Sequence, residues 1–439
     1  MTERSPSNPP AARTKLGLWT ATALVVGNMV GSGIFLLPAS LAPYRGAALL
    51  GWLVTAVGAL VVATVFARLA RRIPQAGGPY AYAREGFGDF AGFLMAWGYW
   101  ISILATNAAI SVAMVSYLTV FWPVLSRHRT VAAGVALGVV WLLTWINASG
   151  IRRGGMTQLA TTLLKLVPLI AVGTVGWAFV DLENIVAAPA DGQPLGSALL
   201  ASVTLTLWAF LGLESATIPA ENVADPRRTI PRATLLGTGL TAVIYIVSSS
   251  AVSGMLPAET LELSTAPFAD AARVIWGSWG AYLVGIGAAV SCFGALNGWI
   301  LVQGQLPMAM ARDGLFPALF GRTAPDGTPS TAIVISSVLS SFILVLNYTR
   351  SLVELFTFAI LLATITAVIP YAFASMSELK WVLRQKPSRM GRPAAAALAS
   401  VAFLYSLWVI AGAGAEAVYW GFLLLLAGLP VYVVMRSRS

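Results

Sequence analysis

The sequence predicts an all-α membrane protein of twelve transmembrane helices, and three observations predict it. Of 439 residues, 58% are hydrophobic and only 10% are charged, whereas a soluble domain carries about 25% charged residues. Twelve apolar runs follow one another at about 16–41, 47–70, 90–124, 130–147, 156–180, 197–218, 233–256, 274–304, 330–347, 351–376, 394–413 and 416–435. A helix needs roughly 20 such residues to cross a bilayer. The loops also alternate in charge. One side carries Arg68, Arg71, Arg72 and Arg84, then Arg152 and Arg153, then Arg227, Arg228 and Arg232. Further along that side lie Arg312, Arg322, Lys380, Arg384, Lys386, Arg389, Arg392, Arg436 and Arg438. The opposite loops hold Asp181, Glu183, Asp191, Glu259, Glu262 and Glu416, with Arg127 and Arg129 as the main exceptions. An even number of spans puts both termini on one side, and the basic loops make that side cytoplasmic.

Taken in order, residues 1–15 are polar and Pro-rich and lead straight into a long span. They read as a disordered cytoplasmic tail rather than a cleaved signal peptide. The first span, 16–41, holds Val25-Val26-Gly27-Asn28-Met29-Val30-Gly31-Ser32-Gly33-Ile34-Phe35 at its centre. Interior glycines weaken a helix by about 1 kcal/mol each relative to alanine, so this stretch is expected to unwind at mid-membrane. Unpaired backbone groups cost several kcal/mol in lipid, so such a break must line a cavity or meet another helix. The half-helix resuming near Ser32 and Gly33 would aim free N–H groups and a positive dipole end at an anion, and a carboxylate fits. Close packing of small residues is the alternative reading of the same stretch.

The segment Ile73-Pro74-Gln75-Ala76-Gly77-Gly78-Pro79-Tyr80 between the second and third spans is a re-entrant gate or a turn. The third and eighth runs exceed a simple span, so tilt or extension past the membrane is expected. The fifth run carries Lys165 in mid-span. Its ammonium would pair with free carbonyls of broken helices in place of a sodium ion, or snorkel to the interface. The sixth run has its own interruption, Trp208-Ala209-Phe210-Leu211-Gly212-Leu213-Glu214-Ser215-Ala216. Runs one and six each open a set of five, and interrupted spans at matching positions mark an inverted-repeat transporter and its central site.

Ionisable residues deep in the spans are few. Glu214 sits at the second break, and a mid-membrane carboxylate is a proton site or a cation partner by default; a structural hydrogen bond to open backbone amides is the alternative. Asn28, Asn107 and Asn297 are polar residues within spans, each either interhelical glue or a ligand contact. Trp208 and Trp299 offer aromatic faces to a substrate, or, as is usual for tryptophan in a chain with 15 of them, anchor helices at the membrane interface. The net charge of +10 follows from loop basicity and calls for no nucleic acid. A single cysteine, Cys292, and a single histidine, His128 in a basic loop, leave nothing for a disulfide, a metal site or a Ser–His nucleophile. No cofactor is expected. A membrane enzyme would need clustered His, Asp or Glu at a water interface, and a channel would need a symmetric ring of charges or carbonyls.

Three motifs carry a resemblance. Gly27-Asn28-x-x-Gly31-Ser32-Gly33-Ile34-Phe35-x-x-Pro38, Gly77-Gly78-Pro79-Tyr80-Ala81-Tyr82-Ala83 and Trp208-x-Phe210-x-Gly212-x-Glu214-Ser215 resemble the amino acid–polyamine–organocation (APC) superfamily. The likeness extends to Ala311-Arg312-Asp313-Gly314-Leu315-Phe316-Pro317 and is strongest to the basic amino acid/polyamine antiporter branch, in particular to arginine–agmatine exchangers. The resemblance implies a LeuT-like five-plus-five inverted repeat, with the first half at 16–181 and the second at 197–376, followed by two extra helices at 394–435. It implies a homodimer in the bacterial inner membrane, surrounded by lipid, that carries an amino acid or its decarboxylated amine by alternating access, with a proton as a further partner.

Residue by residue, it implies that Ser32 and Gly33 bind the substrate carboxylate through backbone N–H groups. Carbonyls of Met29, Trp208 and Leu211 would take the α-amino group. Trp208 would close over the substrate, Trp299 would line the pocket, and Asn107 would face the distal end. Tyr99, Glu214 and Tyr371 would form a gate in which Glu214 responds to protons. At the positions that the resemblance puts around the distal end, this chain has Ile103 and Ala363, with Ile110 nearby, and only Ser102, Asn107 and Thr364 as polar groups. A guanidinium has five N–H donors, and each left unpaired costs about 1–3 kcal/mol. The resemblance makes exchange of arginine/agmatine type the first expectation, although this pocket offers a guanidinium few partners. A smaller basic substrate, or proton-coupled uptake of a neutral or aliphatic amino acid, is the alternative, and Lys165 resembles the fifth-span lysine of proton-coupled branches.

Overall fold

The computed structural model describes residues 16–31, 33–73, 78–149, 166–217, 223–347, 349–384 and 391–437. The tail at 1–15, Ser32, Lys165 and residues 74–77 of the glycine-rich loop lie outside the described residues. The described chain is helical throughout, with a single isolated bridge between Leu16 and Val223 as its only extended pairing.

The first apolar run is two helices, α1 (Leu18–Met29) and α2 (Gly33–Leu41). Then come α3 (Gly46–Arg72), α4 (Pro79–Phe87), α5 (Asp89–Leu118) and α6 (Arg129–Ala148). After the undescribed segment follow α7 (Leu166–Phe179), α8 (Leu195–Trp208), α9 (Pro226–Met255) and α10 (Pro267–Arg312). The chain ends with α11 (Ser330–Leu346), α12 (Leu352–Arg384), α13 (Arg392–Ala411), α14 (Gly414–Leu426) and α15 (Gly428–Arg436). Among the described residues, nine helical segments are long and apolar enough to cross a membrane, and α7, α8 and α11 are shorter apolar helices. This is an integral membrane protein.

Three elements differ from the run lengths. The breaker-rich loop leads into a helix, α4, opened by Gly78 at φ +55° and by Pro79, whose fixed φ suits a first helical turn. The eighth run is lengthened to 46 residues because Gly277, at φ +71°, joins a preceding helical segment at a kink. The tenth run continues as α12 past residue 376 to Arg384, carrying Glu378 into the protein interior.

Packing divides the bundle into two groups. Helix α9 packs on α1 and α3, and α3 on α8. Helix α5 packs on α10 and α12, and α11 on α6 and α10. Hydrogen bonds between small polar side chains tie the first group, as from Trp52 Nε1 to Ser249 Oγ at 2.9 Å and between Thr55 and Thr206 hydroxyls at 2.7 Å. The charged residues collect at the two ends. At one, Arg84 and Arg436 both pair with Asp89 (2.8 and 2.5 Å), and Tyr80 donates to Asp313 at 3.1 Å. Burial and the neighbouring Asp313 carboxylate push the Tyr80 phenol up, so it remains a donor at any physiological pH. At the other end Arg45 pairs with Glu259 at 2.7 Å and Arg350 pairs with Glu416.

Candidate functional site

The two helix breaks meet. Helix α1 stops at Met29 and α2 begins at Gly33; α8 stops at Trp208, turns through residues 209–214 and resumes as a short 3-10 segment, Ser215–Thr217. Both interruptions fall where the glycine pattern predicts. Gly212, at φ +105°, brings the second turn against the first: a Cβ there would lie 3.3 Å from the Asn28 carbonyl carbon. Gly33 permits the other close approach, because a Cβ on it would lie 2.5 Å from Cζ3 of Trp208. The indole therefore lies directly against the first residue of α2. Its far side meets Phe356 of α12 edge-on, with centroids 5.4 Å apart.

Under the indole lies a cavity of about 20 Å³, room for about one water. Asn28, Met29 and Gly31 of the first break line it, with Leu211 of the second and Trp299 of α10; from α5 come Thr106 and Ile110. The state is closed, and a substrate requires the walls to part. Trp208 Nε1 is buried without a hydrogen-bond partner, a donor aimed at nothing in this closed form and costly to leave so.

On one side of the cavity Glu214 is wholly buried and fully satisfied. Tyr99 Oη donates to Oε1 at 2.5 Å, Tyr371 Oη to Oε2 at 2.6 Å, and the Gly212 N–H to Oε2 at 3.2 Å. The three side chains come from α5, the α8 break and α12, so one carboxylate links three elements. Burying a carboxylate without such donors would be prohibitive. Phe66 of α3 packs edge-on against Tyr371 at 5.3 Å and fixes that ring.

The structure thus brings together Asn28, Met29, Gly33, Trp208, Leu211 and Trp299 around the cavity, and Tyr99, Glu214 and Tyr371 beside it. Other predicted residues have different partners. Asn107 donates to Gln303 Oε1 at 2.7 Å, and Gln303 donates to Ser337 at 2.7 Å. Ser102 donates to the Ala363 carbonyl at 2.8 Å, joining α5 to α12, and Ile103 is buried in the core. The Met29 carbonyl accepts from Tyr245 Oη at 2.5 Å. Ser32 and Lys165 lie outside the described residues.

Several contributors went unpredicted. Tyr245 and Tyr117 cap carbonyls on the two sides of the first break, Tyr117 reaching Phe35 O at 2.6 Å; Pro38 disturbs that turn of α2. Thr106 faces the cavity where Asn107 was expected. The signal was present: Tyr99, Thr106, Ile110 and Tyr117 recur at helical spacing on one face of α5, and Asn107 falls off it.

A family described as amino acid permease matches residues 16–435. The chain is 40% identical over 341 residues to the cadaverine/lysine antiporter of Escherichia coli K12, covering 76% of this chain and 74% of the relative. It is 32% identical over 438 residues to the putrescine transporter of the same strain, covering 98% of each. A putrescine transporter of Haemophilus influenzae is 32% identical over 425 residues, covering 96% of this chain and 97% of the relative. With the paired helix breaks and their buried carboxylate, these likenesses show that the chain is a transporter of the amino acid permease family, in the basic amino acid/polyamine antiporter branch of the APC superfamily.

Proposed function

We propose that this protein exchanges a basic amino acid bearing a primary ammonium side chain, of lysine type, for its decarboxylated diamine. The observation that carries the reading is the meeting of two broken helices under Trp208, next to a carboxylate held by two phenols. The substrate carboxylate takes the N–H groups at the start of α2, at Ser32 and Gly33. Its α-amino group takes carbonyls of Met29, Trp208 and Leu211, displacing Tyr245 from the first of these. Trp208 and Trp299 cover the aliphatic chain. The distal ammonium has three donors, for which Asn28 and Thr106 offer side-chain acceptors on the cavity wall, whereas a guanidinium has five. The relatives' names, cadaverine/lysine and putrescine, point to the same chemistry.

In this reading the membrane domain is twelve spans, with inverted repeats at 16–181 and 197–376 and two further helices at 394–435, preceded by the tail at 1–15. It lies in the inner membrane as a homodimer with both termini cytoplasmic, as the basic end formed by Arg68, Arg72, Arg84 and Arg436 favours. Alternating access moves the α1–α3–α8–α9 group against the α5–α10–α12 group. Breaking the Tyr99–Glu214–Tyr371 contact opens the inner path, and protonation of Glu214 is the step that couples a proton to it.

A thermal-shift screen of the purified protein tests the substrate. A ligand at 100 times its Kd stabilises the folded state by about 2.7 kcal/mol. Lysine and cadaverine are expected to raise the melting temperature more than arginine, agmatine or leucine. A response confined to arginine and agmatine, or to leucine, would overturn the primary-ammonium assignment.

A further inference from the structure

Glu378 is the second of two wholly buried acidic side chains among the described residues, and the Glu214 gate does not use it directly. It lies seven residues after Tyr371 on α12, hence on the same helix face. Arg68 Nε donates to its Oε1 at 2.6 Å and Arg72 Nη1 to its Oε2 at 2.9 Å. Both arginines come from the last two turns of α3, and both retain some exposure, 12% and 21%. Beside this pair, Ser377 donates to the Tyr82 carbonyl at 2.9 Å and Lys380 donates to the Gly86 carbonyl, so the end of α12 is fastened to α4 as well.

The placement is specific. Helix α3 belongs to the group that carries the broken helices, and α12 packs on α5. The ion pair therefore spans the seam that inward opening must part, one tier beyond Tyr99–Glu214–Tyr371. Phe66, two residues before Arg68, packs on Tyr371, so the same two helix segments build both tiers. A charge pair shielded on the carboxylate side and hydrated on the arginine side can hold this seam shut and still release. The arginines keep part of their hydration in the closed form, which limits the desolvation penalty that makes fully buried pairs weak stabilisers.

We propose that Glu378, clamped by Arg68 and Arg72, is a positioning residue and inner latch: it holds α12 so that Tyr371 reaches Glu214, and it must let go for substrate to leave at the arginine-rich end. The proposal rests on the alternating-access reading above.

Two cysteine reporters in the full-length protein test it, using a hydrophilic maleimide in detergent. Ala374→Cys lies buried between the two tiers, and Leu361→Cys lines a cavity of about 460 Å³ at the opposite end. The native Cys292 is buried and supplies the background rate. With Glu378→Gln, labelling at 374 should rise about tenfold and labelling at 361 should fall, because a population shift moves the two ends in opposite directions. Arg72→Gln, which leaves Glu378 its Arg68 partner, should do the same by a smaller factor, and it serves if Glu378→Gln does not fold. Unchanged rates, or a rise at both positions as loosened packing would give, overturn the latch. Saturating lysine or cadaverine added to the reporter proteins without the latch substitution separates the premise. If neither moves the two rates oppositely, the exchange reading fails, whatever Glu378→Gln does.

Discussion

Gly33 shows how one missing methyl group sets the closed state. In a helix, alanine outranks glycine by about 1 kcal/mol, so Gly33→Ala would stabilise α2 if only propensity mattered. The 2.5 Å approach of Trp208 decides otherwise, since overpacking costs about 1–3 kcal/mol. Gly33→Ala is expected to lower exchange in liposomes by about tenfold or more and to leave the amount of folded protein unchanged. Wild-type exchange in this variant would mean that the indole does not close here. Thr106 carries a second prediction. Thr106→Val keeps the shape and removes the hydroxyl, so lysine affinity should fall by about tenfold, the worth of one hydrogen bond to a charged group. Affinity for norleucine, which lacks the ammonium, should hold, and parallel losses would place Thr106 away from the distal end. Neither residue stood out in the same way from the sequence. Gly33 was legible through its neighbours Gly31 and Ser32, whereas Thr106 was masked by the more polar Asn107, whose Nδ2 donates to Gln303 rather than lining the cavity.

Among the elements, the two broken helices were the most legible, because clustered glycines weaken a continuous helix and a lone glutamate in an apolar run demands nearby donors. What the pattern could not supply was their partners. Tyr245 capping Met29, and Tyr117 capping Phe35, are contacts between segments 216 and 82 residues apart; no local spacing encodes them. The end of α12 was misplaced for a related reason. Its apolar run fades at residue 376, and a charged residue just beyond reads as loop until a partner helix supplies two arginines. The gate is itself a property of three elements. Glu214→Gln replaces an oxygen that accepts from a phenol with an amide group that donates, so either Tyr99 or Tyr371 loses its acceptor. Substrate binding should change by less than about threefold, while the pH dependence of exchange should flatten. A pH profile identical to wild type would remove Glu214 from proton coupling.

For the molecule as a whole, composition and the alternating charge of the loops were enough to read an all-helical membrane protein. The charged ends agree with that reading. Arg84 and Asp89, Asp313, and Arg436, from three separate stretches of sequence, meet at one end, while Arg45–Glu259 and Arg350–Glu416 close the other. Exposed pairs of this kind contribute about 0–1 kcal/mol each, so they mark the ends rather than hold the bundle. Between them, the small closed cavity is a resting point in a cycle, and exchange is the claim on which the roles of Trp208, Glu214 and Glu378 all depend. Counter-flow tests it most directly: uptake of labelled lysine into proteoliposomes loaded with cadaverine, compared with empty ones. Internal cadaverine is expected to accelerate lysine uptake several-fold, because a carrier that returns loaded resets faster than one that returns empty. Uptake equal in loaded and empty liposomes would contradict it.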